Sequence, residues 1–458
     1  MERIHFIGIG GSGLSAIARL LAESGYTVTG SDRVLSPLAR ELAGLGIPVF
    51  EGHAPEHVAG ADMVVRSSAV PDDNPEVAAA RAEGIPVLKR SEFLGRLTAG
   101  RRLIAVAGTH GKTTTTAMLA WVLSRMDRDP SYIIGGVSRD LGRNARAGKG
   151  GDFVIEADEY DRMFLGLKPD LAVVTYLEHD HPDCFPTMDD YRSAFAAFVR
   201  RLQPGGTLLA CADNLEAAQL VSSVPAGCAA LTYGLETAAN YQADALRPNE
   251  RGGFSFEARH AGSELARVDL LVPGRHNASN ALAVLAACHR LGLDVPAAAV
   301  ALNAFSGTGR RFDLQGEAGG ITVIDDYAHH PTEIRATLAA ARARYPGRRI
   351  WAVWQPHTYT RTLALLPEFL TAFEDADRVL VTEIYAAREK NDAYSAAHVV
   401  EQMPHPAAEF APTLDAAVRL LVRGLQPGDV LLVLSAGDAD RVSADVLAQL
   451  QKRRDSHA

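Results

Sequence analysis

The stretch from Ile104 to Thr116, read as Ile104-Ala105-Val106-Ala107-Gly108-Thr109-His110-Gly111-Lys112-Thr113-Thr114-Thr115-Thr116, constrains this chain more than any other. A run of small and β-branched apolar residues predicts a buried strand, which breaks into a glycine-flanked turn. From Thr113 onward the residues open a helix through Ala117 to Leu123. That is the strand–loop–helix layout of a phosphate-binding loop. Glycines let backbone N–H groups curl inward, and the helix N-terminus adds partial positive charge. Gly108, Thr109, His110, Gly111, Lys112, Thr113 and Thr114 are thereby assigned to the phosphates, with Lys112 bridging the terminal ones and the Thr113 hydroxyl holding Mg²⁺. Val106 stands where the first glycine of G-x-x-x-x-G-K-T is usual, so the loop is a variant. A mere strand-to-helix turn carrying Lys-Thr is the structural alternative, and both flanks argue against it.

A second glycine cluster lies at the start. Arg3 to Ile7 reads as a strand and meets Gly8-Ile9-Gly10-Gly11-Ser12-Gly13, followed by a helix from Leu14 to Glu23 and a strand from Tyr26 to Thr29 that leads to Ser31-Asp32. This satisfies G-x-G-x-x-G with an acid roughly twenty residues on. Alone, the fingerprint suits a nicotinamide enzyme, but the same turn serves any pyrophosphate, and a nicotinamide reading leaves Lys112-Thr113 without a role. Further strands at Met63 to Val65 and Ile85 to Leu88 make a small Rossmann-like domain up to about residue 99. Its ligand belongs beyond the C-terminal ends of those strands, where Ser67 and Ser68 stand as contacts or as plain turn residues.

At 458 residues the chain has length for two to four domains. Its net charge of −9 weighs against a nucleic-acid surface. Cys184, Cys211, Cys228 and Cys288 show no C-x-x-C spacing, so neither a zinc site nor a disulfide framework is expected. The first residues lack the charged leader and apolar core of a signal peptide. No stretch approaches the ~20 apolar residues of a membrane helix. A cytoplasmic protein without membrane insertion is the expectation.

Thr98 to Arg102 reads as a linker into the second domain. There Asp152 to Glu156 is a strand ending in an acid, and Leu171 to Thr175 another, running into Glu178-His179-Asp180-His181. In phosphate-loop enzymes an acid at a neighbouring strand tip meets the metal, so Glu156 is the candidate ligand, with His181 as a second. A strand-rich stretch from Ala229 to Val272 predicts an antiparallel excursion. Pro273 to Asn277 then caps a helix from Asn280 to Leu291; Asn277 serves as an N-cap or, with His276 and Asn280, faces a base. The third domain begins near Gly307, with strands at Ile321 to Ile324, Ile350 to Trp354, Arg378 to Thr382 and Val430 to Leu434. Polar groups gather at three of their ends: Asp325 to Pro331, Gln355 to His357, and Glu383 to Tyr385. The end, from Lys452 to Ala458, reads as a frayed helix tail.

Taken in order, these motifs resemble the Mur ligases, and among them the alanine-adding members. The resemblance runs from about residue 3 to about residue 440 and is carried by His5 to Ser15, Ser67 to Val70 with Asp73 to Glu76, Gly108 to Thr113, Glu156 to Asp161 and Asp180-His181. Pro273 to Asn277, Asn280-Ala281, Arg310 to Phe312, Asp325 to Pro331, Gln355 to Arg361 and Glu383 to Glu389, including Arg388, complete it.

The resemblance implies an α/β fold of three domains: an N-terminal Rossmann-like UDP-binding domain (1–99), a central phosphate-loop ATPase domain (100–306) and a C-terminal Rossmann-like domain (307–458) that binds the amino acid and closes over both. It implies an ATP-dependent, ADP-forming amide ligase of peptidoglycan synthesis, acting on UDP-N-acetylmuramic acid and L-alanine with Mg²⁺, or Mn²⁺ in its place. The pyrophosphate would lie over Gly10, Gly11, Ser12 and Gly13, with Ser31, Asp32, Ser67 and Ser68 nearby, which explains a dinucleotide fingerprint without nicotinamide. His276, Asn277 and Asn280 would face adenine, and Arg311 and Asp326 would reach the nucleotide. Lys112 and Arg311, with the metal on Thr113, Glu156 and His181, would neutralise the transferring phosphoryl group. Tyr327, His329, His357 and Arg361 resemble alanine-pocket residues, and Asn144, Glu159 and Asp161 contacts near the muramyl end. The base for the amine, His181 or His329, stays open, as do monomer and homodimer.

Three departures from the family pattern stand out. Phe195 occupies the position of a lysine that several members carry in modified form, so that modification is not expected. Tyr176 replaces a usual asparagine, and Pro182 interrupts the turn after His181. The nearest rival is the recycling ligase that accepts a ready-made tripeptide, against which Ala386-Ala387-Arg388-Glu389 resembles the alanine-adding members. A non-catalytic nucleotide-sensing protein, the rival from another class, predicts ATP binding without an amide product.

Overall fold

The computed structural model describes residues 2–387, 389–390 and 394–457, with side chains up to residue 453. Arg388 lies outside the described residues. Three sheets follow one another along the chain. The first is all-parallel, in the order β3-β2-β1-β4-β5, from β1 (Arg3–Ile7), β2 (Thr27–Asp32), β3 (Val49–Glu51), β4 (Met63–Arg66) and β5 (Val87–Lys89). The order reverses between β1 and β4, which opens a crevice at their C-terminal ends. The glycine turn after β1 stands at that point.

The second sheet has ten strands, in the order β15-β14-β13-β12-β11-β10-β6-β9-β7-β8. They are β6 (Arg102–Ala107), β7 (Ser131–Ile133), β8 (Ala145–Arg146), β9 (Asp152–Glu156), β10 (Leu171–Val174), β11 (Thr207–Cys211), β12 (Ala229–Gly234), β13 (Tyr241–Pro248), β14 (Phe254–His260) and β15 (Ser263–Asp269). β6 lies between β9 and β10 and is buried along Leu103 to Ala107, as a parallel strand covered on both faces must be. The phosphate loop therefore leaves the middle of the sheet with an acid-tipped strand on one side and Thr175 to His181 on the other. The expected antiparallel excursion needs correcting at its start: β12 pairs parallel with β11, and β13 to β15 alone form the antiparallel part, continuing the same sheet. One continuous apolar cluster joins this domain to the first, running from Ile4 and Phe6 through Phe93 to Ile104 and Leu119.

The third sheet is β16-β17-β21-β18-β19-β20, from β16 (Asp313–Ala318), β17 (Ile321–Asp326), β18 (Ile350–Trp354), β19 (Arg378–Thr382), β20 (Ala408–Ala411) and β21 (Val430–Leu434). All pairings are parallel save β16 with β17. Separate apolar clusters cover its two faces, one around Trp354 and Phe373 and one around Trp351 and Leu421. Among the described residues no helix is long and apolar enough to cross a membrane.

Candidate functional site

The loop after β6 needs its two glycines for different reasons. Gly108 has φ +141°, and a Cβ there would fall 2.2 Å from Thr175 Oγ1. Gly111 has φ +80° and caps the helix Lys112–Arg125, whose first turn carries no acidic residue. Its free N–H groups and positive end face the loop's concave side. Lys112 Nζ donates to Gly108 O at 2.5 Å and sits 2.8 Å from Glu159. Burial opposes its charge, yet Glu159, Asp158 and Glu156 together raise its pKa. Thr113 Oγ1 donates to Glu156 Oε1 at 3.0 Å, and Gly135 N donates to the other carboxylate oxygen at 2.6 Å. Burial raises the Glu156 pKa even against Lys112. A hydroxyl and a buried carboxylate side by side suit a hard divalent cation, which would take the place of the hydrogen bond between them.

Glu159 forms the other side of this group. Burial works against its charge, but Lys112 and His181 bring its pKa down. His181, in a left-handed backbone conformation (φ 54°), lies 3.5 Å from Glu159 through Nε2. Burial is outweighed by Asp180 and Glu159, and its pKa is raised. Asp180 in turn pairs with Arg361 of the third domain at 2.9 Å, both almost fully buried.

A cavity of about 440 Å³ opens from the loop. Gly111, Thr113 and Thr114 form one wall, His276, Asn277 and Asn280 a second, and Arg311, Phe312 and Asp326 close it from the third domain. The helix carrying the second wall runs Arg275–Arg290 with Gly274 (φ 95°) as its N-cap, five residues earlier than the expected start at Asn280. Asn277 therefore lies inside the first turn and is not the cap. Its side chain donates to Pro273 O at 2.7 Å, and Asn280 donates to Asn277 Oδ1 at 3.2 Å. Burial and the nearby Arg311 bring the His276 pKa down to about 4, leaving a neutral ring. Asp326 accepts from the backbone N–H of Phe312 and Ala328 at 2.7 and 2.8 Å, which orders the turn bearing Arg311. Arg311 lies 3.6 Å from Glu333 and over the Tyr327 ring.

Sequence patterns missed two acids here, Glu178 and Glu333. His110 bridges them, with Glu333 at 3.0 Å and Glu178 in close contact, and its pKa is raised to about 9 because the two carboxylates outweigh burial. Thr332 Oγ1 also donates to Glu178, at 3.1 Å. The ligand atoms of His110, Glu178 and His330 lie within 4.8 Å of one another.

Tyr327, His329, His357 and Arg361 come together at the C-terminal edge of the third sheet. Ring centroids are 5.4 Å apart for Tyr327 and His329 and 5.9 Å for His329 and His357, and Arg361 Nη1 lies 3.1 Å from His357 Nδ1. Burial depresses the pKa of His329 to about 3 and of His357 to about 4. His329 Nδ1 lies 2.9 Å from Tyr327 O, which selects the tautomer protonated there and leaves Nε2 as the acceptor. Gln355 and Glu383, from the same edge, have other partners: Gln355 binds Ser435 and Asp438, and Glu383 accepts from Ser395 and Ala396 N.

In the first domain Asp32 Oδ2 accepts from Gly10 N at 2.8 Å and so shapes the glycine turn. Ser31 is fully buried and donates to Glu76 at 2.5 Å. Glu76, another acid that patterns missed, also lies 2.7 Å from His57 and 3.4 Å from His5. Ser67 is half-buried and Ser68 exposed at the crevice end of β4. Asn144 O accepts from Ile134 N at 2.7 Å beside β7, and Asp161 is exposed in the turn after Glu159. Phe195 is buried against Phe164 and Tyr191, an apolar setting for the position of the family's lysine. Tyr176 lines the cavity that opens from the phosphate loop.

Comparison with known proteins gives concordant matches over almost the whole chain. Residues 3–102 match the model described as Mur ligase family, catalytic domain; residues 106–288 match the Mur ligase middle domain, and residues 310–437 match Mur ligase, glutamate ligase domain. The UDP-N-acetylmuramate–L-alanine ligase of Frankia casuarinae is 44% identical over 98% of each chain. The UDP-N-acetylmuramate-alanine ligase structure from Thermotoga maritima superposes with a TM-score of 0.83 at 30% identity, covering 99% of this chain and 100% of that one. The murein peptide ligase of Psychrobacter arcticus reaches 0.72 at 27% identity, over 98% and 99%.

Proposed function

The chain belongs to the Mur ligase family, and from that membership we infer that it is the ATP-dependent ligase that joins L-alanine to the carboxylate of UDP-N-acetylmuramic acid. A carboxylate is a poor acyl donor because its oxygen leaves badly. Transfer of the γ-phosphoryl group of ATP onto that oxygen supplies a leaving group, with ADP released. The amine of alanine then attacks the acyl phosphate, and the tetrahedral intermediate collapses to the amide and phosphate.

The observation that carries this reading is the cavity shared by the phosphate loop, the helix Arg275–Arg290 and Arg311. Lys112 and Arg311 approach the phosphates from two domains and neutralise charge on the group in transfer. Mg²⁺, or Mn²⁺ in its place, would sit on Thr113 and Glu156 with His181 nearby, and would supply further neutralisation of phosphate charge. His276, Asn277 and Asn280 bind the base. His329, with Nδ1 turned to Tyr327, offers Nε2 as a hydrogen-bond acceptor that orients the amine of alanine; a pKa pushed down to about 3 makes it an acceptor and not the base that keeps the proton. Closing both reactants in one cleft removes much of the entropic barrier, up to roughly 7–11 kcal/mol in well-oriented cases. The enzyme so described is cytoplasmic, inserts in no membrane, binds no nucleic acid, and works as a monomer or homodimer.

Phosphate release tests this with ATP, Mg²⁺ and UDP-N-acetylmuramic acid present and amino acids added singly. Release with L-alanine is expected. Release with a ready-made tripeptide and none with alanine would instead favour the recycling activity, and release without the sugar nucleotide would refute a ligase.

A further inference from the structure

The helix Pro331–Arg344 starts at the polar edge of the third sheet, and Glu333 stands at its third position. An acid there ordinarily completes a capping box, reaching back to free N–H groups of the chain before the helix. Glu333 does this with one oxygen. Its Oε2 accepts from the backbone N–H of His329 at 3.1 Å and of His330 at 3.4 Å. Oε1 is left without a capping duty, and it lies 3.0 Å from His110 Nδ1 and 3.6 Å from Arg311 Nη1.

The two oxygens therefore serve two different groups of residues. Oε2 fixes the backbone at His329, the residue that orients the amine in the reaction proposed above, and lies 3.4 Å from its Nδ1. Oε1 holds a residue of the phosphate loop together with the arginine that closes the cavity opening from that loop. The Glu333 side chain is 11% exposed. Burial works against its charge, yet the histidines and Arg311 packed on it keep its pKa well below the ordinary carboxylate value. A cap needs neither of the Oε1 contacts, and glutamine at this position would cap as well.

His110 belongs to the second domain and Glu333 to the third, so the Oε1 contact spans the junction between them. The segment on the other side of the carboxylate is stiff. Pro331 fixes φ at the first helical position, and the His330 ring accepts from Thr332 N at 3.3 Å. A shift of the phosphate loop against the third domain would thus reach His329 through one side chain.

We propose that Glu333 is a positioning residue for the ligase reaction, holding His110 and Arg311 on the nucleotide side in register with His329 on the amino-acid side. The inference rests on the ligase reading above and deepens it. Reacting groups a chain's length apart in two domains must meet within a fraction of an ångström, and a misplacement of about 1 Å costs on the order of 100-fold.

Steady-state phosphate release by the full-length protein tests it, with KM measured separately for ATP, L-alanine and UDP-N-acetylmuramic acid. Wild type, Glu333→Gln, His110→Gln and the double variant are compared. In Glu333→Gln, which keeps the cap, KM should rise about 10- to 100-fold for both L-alanine and ATP. The KM for the sugar nucleotide should stay within about twofold. His110→Gln changes the nucleotide side alone, yet it should raise the KM for L-alanine too. The double variant should be no worse than the more affected single one, because both changes break the same link. A fall in kcat with all three KM values unchanged would overturn the proposal, since it marks a smaller folded fraction and nothing more. So would a rise confined to one of the two substrates, or effects that multiply in the double variant. Should Glu333→Gln fail to fold, His110→Gln decides: an unchanged KM for L-alanine overturns the link. No phosphate release by the wild type with L-alanine would overturn the ligase reading itself, a result distinct from all of these.

Discussion

Lys112 and Glu159 face each other at 2.8 Å beneath the phosphate loop, with the Glu159 side chain 1% exposed. The lysine that should serve ATP is therefore held by an acid of its own domain, and its charge is maintained there by Glu159 and the acids beside it against the cost of burial. Its neighbour Thr113 is likewise paired, with Glu156 at 3.0 Å. Both groups are held in place by protein partners, which a bound nucleotide and its metal would have to displace.

Replacing Lys112 by alanine should then stop turnover without disturbing the first domain. Phosphate release is expected to fall by at least about 10²–10³, the scale of losing one preorganised charge-stabilising group. Binding of UDP-N-acetylmuramic acid, followed by calorimetry, should stay within about twofold because the glycine turn belongs to another sheet. Substantial phosphate release by this variant would show that the loop is not the ATP site.

Much of this arrangement was legible in the residues. A buried apolar strand followed by glycines and Lys-Thr has few structural solutions, and Glu156 was readable because a strand of the same kind ends on it. Less local features were not. Gly274 starts its helix through a positive φ, a property that composition does not display, so the helix was expected to begin at Asn280, with Asn277 before it, although both asparagines lie within it. β16 is polar and interrupted by Gly316, and it is ordered by antiparallel pairing with β17. Glu178 and Glu333 are separated by more than 150 positions and acquire their meaning through His110, which touches both. Glu76 sits behind an Asn-Pro helix start, where an acid ordinarily serves the cap, yet it is buried among His5, His57 and Ser31.

His110 gives a pH signature with a definite sign. Its pKa in the folded protein is about 9, above the ordinary 6.5, so its contribution is complete below about 6.5 and disappears as pH rises through 9. Its upper bound is about 3 kcal/mol. The apparent melting temperature of His110→Gln should lie below wild type at neutral pH, and the gap should close above about pH 9. A gap that stays constant with pH would mean that His110 acts by packing alone.

Glu76 should act in the opposite direction. Burial resists its charge, but hydrogen bonds from His5, Ser31 and His57 bring the pKa down from 4.5 to about 2. Its contribution is complete above 4.5 and is lost as pH falls through about 2. Glu76→Gln should destabilise the protein by about 1–3 kcal/mol near neutrality, the cost of leaving a buried donor unsatisfied. Acid unfolding should show the two proteins converging only below about pH 2. Equal acid sensitivity of wild type and variant would remove Glu76 from the account.

Asp180 and Arg361 make a buried ion pair between the second and third domains. Burial pushes the Asp180 pKa up, but His181 and Arg361 hold it well below the usual carboxylate range. Both side chains are about 5% exposed, so neither charge has water to fall back on if the other is removed. Losing one partner of such a pair costs about 3–5 kcal/mol, whereas losing both charges costs much less. A chain whose domains are hinged can avoid that cost by opening, which rehydrates the stranded carboxylate. Arg361→Ala should therefore show a larger radius of gyration in small-angle scattering and a raised KM for L-alanine, with UDP binding unchanged. Adding Asp180→Asn should restore compactness, because the buried charge is gone, but not the KM, because the arginine facing His357 is still missing. If Arg361→Ala is as compact as the wild type, the pair does not hold the domains together; if the double variant recovers the KM as well, Arg361 has no contact with the amino acid.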